Sequence, residues 1–215
     1  MKNLNKVLQL IVWTLFLVAQ NCQAQALGEL LKAVEEGNVK RAVFYLDRGM
    51  DPNTTNADGY TILMIASRLG HADLASMLIA RKASLTRQAP SGDTALLMAS
   101  LGGHMDMVRL LVSAGAPVQG GKGWQPIHYA AFAGTTEILR FLLDKGADKD
   151  SLAPNSYTPL MLAVRNGHTD VVTILLKEDA DLTHRGPAGE TALDIAQRRE
   201  DAALVELLKR AGGAK

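Results

Sequence analysis

Five histidines, His71, His104, His128, His168 and His184, are the residues of this 215-residue chain best suited to metal chemistry. Zinc ligands must each lie about 2.0–2.1 Å from one ion. His71, His104 and His168, however, each follow a glycine at the same point of successive similar segments. That recurrence sets them in a row about 10 Å apart, the spacing of packed helices, and not around a point. Thioethers suit Cu(I), which raises the same question for Met64, Met77, Met98, Met105, Met107 and Met161. Their places inside apolar-periodic runs favour adaptable core packing. A third cluster, "GWQPIHYAAFAG" at 123–134, brings Trp124, His128 and Tyr129 within six positions. It reads either as a reactive group or as one beat of a repeat.

Covalent chemistry finds little to work with. A nucleophile needs a base within reach and a third group to orient it, and the serines occur singly with no nucleophile-elbow pattern. The lone cysteine, Cys22, lies close to the start. "QGGKG" at 119–123 is glycine-rich but has no phosphate-loop spacing. The residues predict no catalysis, no metal and no cofactor.

The elements that position these residues come in a repeat. "GYTILMIA" from Gly59, "GDTALLMA" from Gly92, "GWQPIHYA" from Gly123, "SYTPLMLA" from Ser156 and "GETALDIA" from Gly189 follow one another at 33, 31, 33 and 33 residues. A period held over five copies marks a solenoid. Each copy begins a helix: Thr61, Thr94, Thr158 and Thr191 suit the N-cap, and Pro126 and Pro159 the first helical position. Ala66, Ala99, Ala130, Ala163 and Ala196 allow close helix approach. Gly70, Gly103, Gly134 and Gly167 suit a left-handed helix end. Asp73, Asp106, Glu137 and Asp170 favour the N-terminus of a second helix. The 31-residue interval predicts a clipped connection before Trp124.

These motifs resemble the ankyrin repeat, whose hallmark is Thr-Pro-Leu-His, an alanine-rich helix, a Gly-His loop and a closing Gly-Ala-Asp. "TPLMLA", "QPIHYA", the "GH" pairs at 70–71, 103–104 and 167–168, and "GAD" at 146–148 carry the likeness. It implies an all-α solenoid of paired antiparallel helices with short β-hairpin or loop connections, about six repeats with the caps. The expected divisions are an N-terminal cap at 25–56, central repeats at 57–89, 90–120, 121–153 and 154–186, and a C-terminal cap at 187–215. The cap at 187–215 carries Arg199 and Glu200 in place of the loop motif and Lys209 on an outer side that must face water. The likeness also makes His128 a structural brace between repeats. Met64, Leu97, Met161 and Asp194 replace it elsewhere, which implies some looseness.

In this family the concave surface, built from hairpin tips and first helices, is the usual binding face. Register places Tyr60, Asp93, Trp124, Tyr157 and Glu190 on the tips, and Arg68, Leu101, Phe132 and Arg165 on the helices. Tyr60, Arg68, Trp124, Phe132, Tyr157 and Arg165 are the expected contacts for a protein partner, since Trp, Tyr and Arg dominate interface energetics. The competing reading has Trp124 and Phe132 packing on each other beside the clipped connection.

The start of the chain follows other rules. Lys2 and Lys6, a charge-free run from Val7 to Ala19, and small residues up to Ala26 have the layout of a secretory signal over 1–24, cut after Ala24 or Ala26. The run is shorter than the roughly 20 residues of a membrane span, though retention as an anchor stays open. Gln20 and Asn21 poorly resemble the residues preceding a lipidated cysteine. Removing 1–24 takes the formal net charge from +1 to −1 and leaves no cysteine. A near-neutral chain offers no electrostatic footprint for nucleic acid or an anionic membrane. The expectation is a monomeric, exported, non-catalytic binding protein of the bacterial periplasm. The resemblance extends to stress-protection or immunity and accessory roles. The alternatives are periplasmic metal handling by His and Met, and a secreted effector that binds host proteins.

Overall fold

A computed structural model describes Trp13 and residues 23–119 and 123–213. The expected leader falls almost wholly outside these residues, as do Gly120, Gly121 and Lys122 of the clipped connection. Helical residues 23–35 form α1, and eleven further helices follow: α2 (Val39–Leu46), α3 (Ile62–Leu69), α4 (Ala72–Ala80), α5 (Ala95–Gly102), α6 (Met105–Ser113), α7 (Pro126–Ala133), α8 (Thr136–Asp144), α9 (Pro159–Asn166), α10 (Thr169–Lys177), α11 (Ala192–Arg198) and α12 (Ala202–Gly213). Among the described residues no helix is long and apolar enough to cross a membrane.

The helices form two layers. First helices α3, α5, α7, α9 and α11 contact one another in turn, and second helices α2, α4, α6, α8, α10 and α12 do the same behind them. One alanine per repeat makes the inner layer close: Ala66, Ala99, Ala130, Ala163 and Ala196 are each 0% exposed. The hydroxyls of Thr61, Thr94, Thr158 and Thr191 accept backbone N–H bonds at the third helical position, as the sequence predicts. The connections are short, hairpin-like loops. Asn56, Ala89, Ala153 and Gly186 each donate N–H to the carbonyl four residues on. The isolated bridge Thr55–Thr61 is the extent of pairing found in them among the described residues.

The Gly-His dipeptides lock neighbouring repeats together. Gly70 and Gly134 sit at φ 75°, and a Cβ there would fall 2.6 Å from His104 Nδ1 and 2.5 Å from His168 Nδ1. Each ring therefore lies on the bare backbone of the preceding repeat. The Nε2 atoms of His71, His104 and His168 then bond the carbonyls of Glu35, Arg68 and Phe132 at 3.0, 3.0 and 2.9 Å. In the last repeat Arg199 makes the equivalent bond to the Arg165 carbonyl at 2.5 Å. Thr135 breaks the series, its hydroxyl turning back to the Ala130 carbonyl at 3.4 Å.

Glu200 occupies the loop-glycine position of the last repeat and adopts φ 58°. A Cβ in the left-handed region costs roughly 1–2 kcal/mol. Glu200→Gly is expected to raise the stability of the C-terminal cap by about 1 kcal/mol, the residual after glycine's added chain entropy. A denaturant midpoint shifted upward at unchanged slope checks it, and an unchanged or lowered midpoint contradicts it.

Candidate functional site

The tip residue and the helix residue eight positions later lie side by side in the last two repeats, where Arg165 covers the Tyr157 ring and Arg198 stands 3.9 Å from Glu190. Their conformations come from the same local rules. The tip follows a left-handed residue (Gly59, Gly92 and Gly189 at φ 81°, 86° and 76°, Ser156 at 61°). The helix residue falls near the end of a helix whose other faces are packed.

The tips are used more by the fold than the sequence suggests. Tyr60 is half-buried, its hydroxyl 3.4 Å from Asp93 Oδ2 and 3.3 Å from Ser91 Oγ. Tyr157 is only 8% exposed and donates its hydroxyl to Glu190 Oε1 at 2.8 Å. Residues one period apart thus form tyrosine–carboxylate links between adjacent tips. Glu190 is held below the usual carboxylate range by its own backbone N–H, then by the Tyr157 hydroxyl. Tyr157 is pushed up in turn by that hydrogen bond and by burial. Trp124 is half-buried, its ring 5.4 Å from Tyr129 and 5.8 Å edge-on from His128. These are its ring contacts among the described residues.

Tyr129, noted in the 123–134 cluster, was not among the expected contacts. It stands where the other copies carry Ile65, Met98, Leu162 and Ile195, and its hydroxyl donates to Asp93 Oδ1 at 2.9 Å. Burial, then the Asp93 carboxylate, pushes its ionisation well above the ordinary tyrosine range. A polar ring at an otherwise aliphatic position was the available signal.

The helix positions remain open to solvent. Arg68, Phe132 and Arg165 are exposed, Phe132 by 46%, and Leu69 beside Arg68 by 39%. Arg165 lies over the Tyr157 ring, 5.4 Å from its centroid. Of the six expected contacts, then, three are exposed, two are half-buried, and Tyr157 is an internal tie.

The remaining chemically suggestive residues have structural partners. His128 is fully buried: Nδ1 accepts the Gln125 N–H at 3.0 Å and Nε2 donates to the Ser151 carbonyl at 3.0 Å. Desolvation holds its pKa below the usual histidine value, against the raising effects of the Ser151 bond and Asp148. Half of the brace, the bond to the N-cap N–H, is kept in two of the four copies that lack this histidine. Met64 Sδ and Asp194 Oδ2 accept the same N-cap N–H, at 3.3 and 2.8 Å. Met64, Met107 and Met161 are 1% exposed members of the core. His184 Nε2 bonds the Ser156 carbonyl at 3.1 Å.

A family model described as "Ankyrin repeats (3 copies)" matches three overlapping spans, 30–120, 82–153 and 127–215. The chain is similar to Ankyrin repeat and SAM domain-containing protein 6 of Mus musculus and of Rattus norvegicus. In each it is 30% identical over 133 residues, 60% of this chain and 11% of the relative. It therefore spans about a tenth of the length of these curated relatives. A crystal structure of the human ASB11 ankyrin repeat domain superposes with a TM-score of 0.79 at 27% identity, covering 85% of this chain and 83% of that one.

Proposed function

This chain belongs to the ankyrin-repeat family, whose repeats support protein–protein interaction, and we propose that it holds a partner protein on its concave face without catalysis. The observation that carries this reading is Phe132, a phenylalanine 46% exposed on an inner helix whose neighbouring residues are packed or paired. Arg165 stands exposed on the adjacent α9, and Arg68 on α3, two helices away on the other side. An aromatic anchor between arginines has the composition of an interface centre. The basic, then apolar, then small-residue order of 1–24 supports export, so that the partner is met in the periplasm.

Affinity capture from periplasmic extract tests the reading, comparing the full chain with an Arg68→Ala, Phe132→Ala, Arg165→Ala variant of matched stability. A protein retained by the parent and reduced at least tenfold by the variant is the expected result. Equal recovery places the site elsewhere. Cell fractionation tests the compartment: a chain shortened by 24 or 26 residues in the periplasmic fraction is expected, and a full-length chain in the cytosol overturns export.

A further inference from the structure

Asp93 is 6% exposed, and the hydrogen bonds it accepts come from hydroxyls: Tyr129 at 2.9 Å, Ser91 at 2.6 Å and Tyr60 at 3.4 Å. These dipoles satisfy lone pairs but bring no positive charge, whereas a carboxylate taken out of water is ordinarily paired with a cation. None of the ion pairs among the described residues includes Asp93. Glu190, at the same register in the last repeat, shows what is missing. It takes the Tyr157 hydroxyl at 2.8 Å and also lies 3.9 Å from the Arg198 guanidinium, eight residues further along. Eight residues after Asp93 stands Leu101, half-buried. The chain builds one tyrosine–acid link twice, Tyr60 to Asp93 and Tyr157 to Glu190, and sets an arginine beside the second alone.

The surroundings suit a basic side chain. Leu101 on α5 and exposed Phe132 on α7 offer apolar surface to the methylene stem of a lysine or arginine. Trp124 and Tyr129 present aromatic surface beside the carboxylate. Arg68 on α3 and Arg165 on α9 lie on the flanking helices, so charge on this face runs basic, acidic, basic along the solenoid.

We propose that the concave face takes a lysine or arginine of a partner protein at the Asp93 carboxylate, from a segment with acidic residues on either side. This rests on the concave-face reading above and names the chemistry it selects. The partner's cation adds a charge-assisted donor to Asp93, and its acidic neighbours meet Arg68 and Arg165.

The probe is a displayed random-peptide library panned on the full chain carrying Lys122→Gln, which removes the other cation that the sequence puts beside Trp124. Selected peptides are expected to carry Lys or Arg flanked by Asp or Glu. Changing that basic residue to Ala should weaken binding at least tenfold. So should Leu101→Arg in the protein, which supplies the cation internally while leaving Asp93 and its hydrogen bonds in place, whereas Glu190→Gln should bind as the parent does. Thermal melts of each variant separate lost binding from lost folding, and Asp93→Asn provides a second variant. Peptides that lose affinity with Phe132→Ala but lack a basic residue, or tolerate Leu101→Arg, overturn this inference and leave the concave-face reading standing. A library yielding only peptides indifferent to Phe132→Ala, or none, overturns both.

Discussion

Ala130→Asp is expected to unfold the central repeats, with a loss of about 5 kcal/mol. Ala130 is 0% exposed on α7, which contacts α5 on one side and α9 on the other. An aspartate there must bury an unpaired charge, for which about 3–5 kcal/mol is typical, and force extra atoms into a packed seam, for about 1–3 more. Domains of this size hold about 5–15 kcal/mol in total. In a solenoid the damage is concentrated, because each repeat contacts only its neighbours. The third to fifth repeats should lose amide protection first, and the helical signal should fall in proportion. Ala203→Asp, on the exposed face of α12, controls for added charge and should melt as the parent does. An Ala130→Asp protein melting within a degree or two of the parent would show that α7 does not sit in the inner layer.

The same seam explains what the sequence made legible. N-caps, the prolines at the helix start, the glycine helix ends and the alanine row each follow from a local rule applied at a fixed spacing, so reading one copy reads the rest. Side-chain partnerships between copies do not follow from local rules. Tyr60 and Asp93, like Tyr157 and Glu190, are 33 residues apart, and each member occupies a position where the scaffold itself demands nothing. Taken one at a time, the tyrosines look like spare surface aromatics. Compared in adjacent copies, they are donors beside acceptors. The stacking of His104 on Gly70 was hidden for another reason: "GH" looks like a turn signal, and the ring's contact is with the glycine of the preceding copy. Met64 escaped notice because a thioether is rarely counted as a cap acceptor, yet it takes the Thr61 N–H at 3.3 Å. The exposed helix positions were therefore legible, as Arg68, Phe132 and Arg165, but not the division of labour between them and tips committed to the fold.

His128→Leu is expected to destabilise the protein by about 3 kcal/mol, and below about pH 6.5, the ordinary histidine pKa, the parent's stability should fall more steeply than the variant's. The substitution strands two backbone groups, the Gln125 N–H and the Ser151 carbonyl, that meet the imidazole at 3.0 Å on opposite sides. Each orphaned polar group costs about 1–3 kcal/mol. The two bonds also fix the charge state: Nδ1 accepts, so the ring must be neutral with its proton on Nε2. Burial lowers the folded-state pKa, so as pH falls the unfolded chain takes up the proton first. The stability contribution is complete above the unfolded value near 6.5 and is lost as pH falls through the lowered folded value, at no more than about 1.4 kcal/mol per pH unit for one proton. His128→Asn divides the brace. Its amide oxygen can accept the Gln125 N–H, as Asp194 does for Thr191 in the last repeat, but the shorter side chain cannot span to Ser151. It should recover part of the loss and none of the pH dependence. Denaturant titrations from pH 7.5 to 5 distinguish these outcomes by difference: the carboxylates common to parent and variants cancel, leaving the histidine alone. Parallel profiles for parent and His128→Leu would mean that the folded chain accommodates a charged ring at this site, and that the Gln125 N–H has another acceptor to turn to.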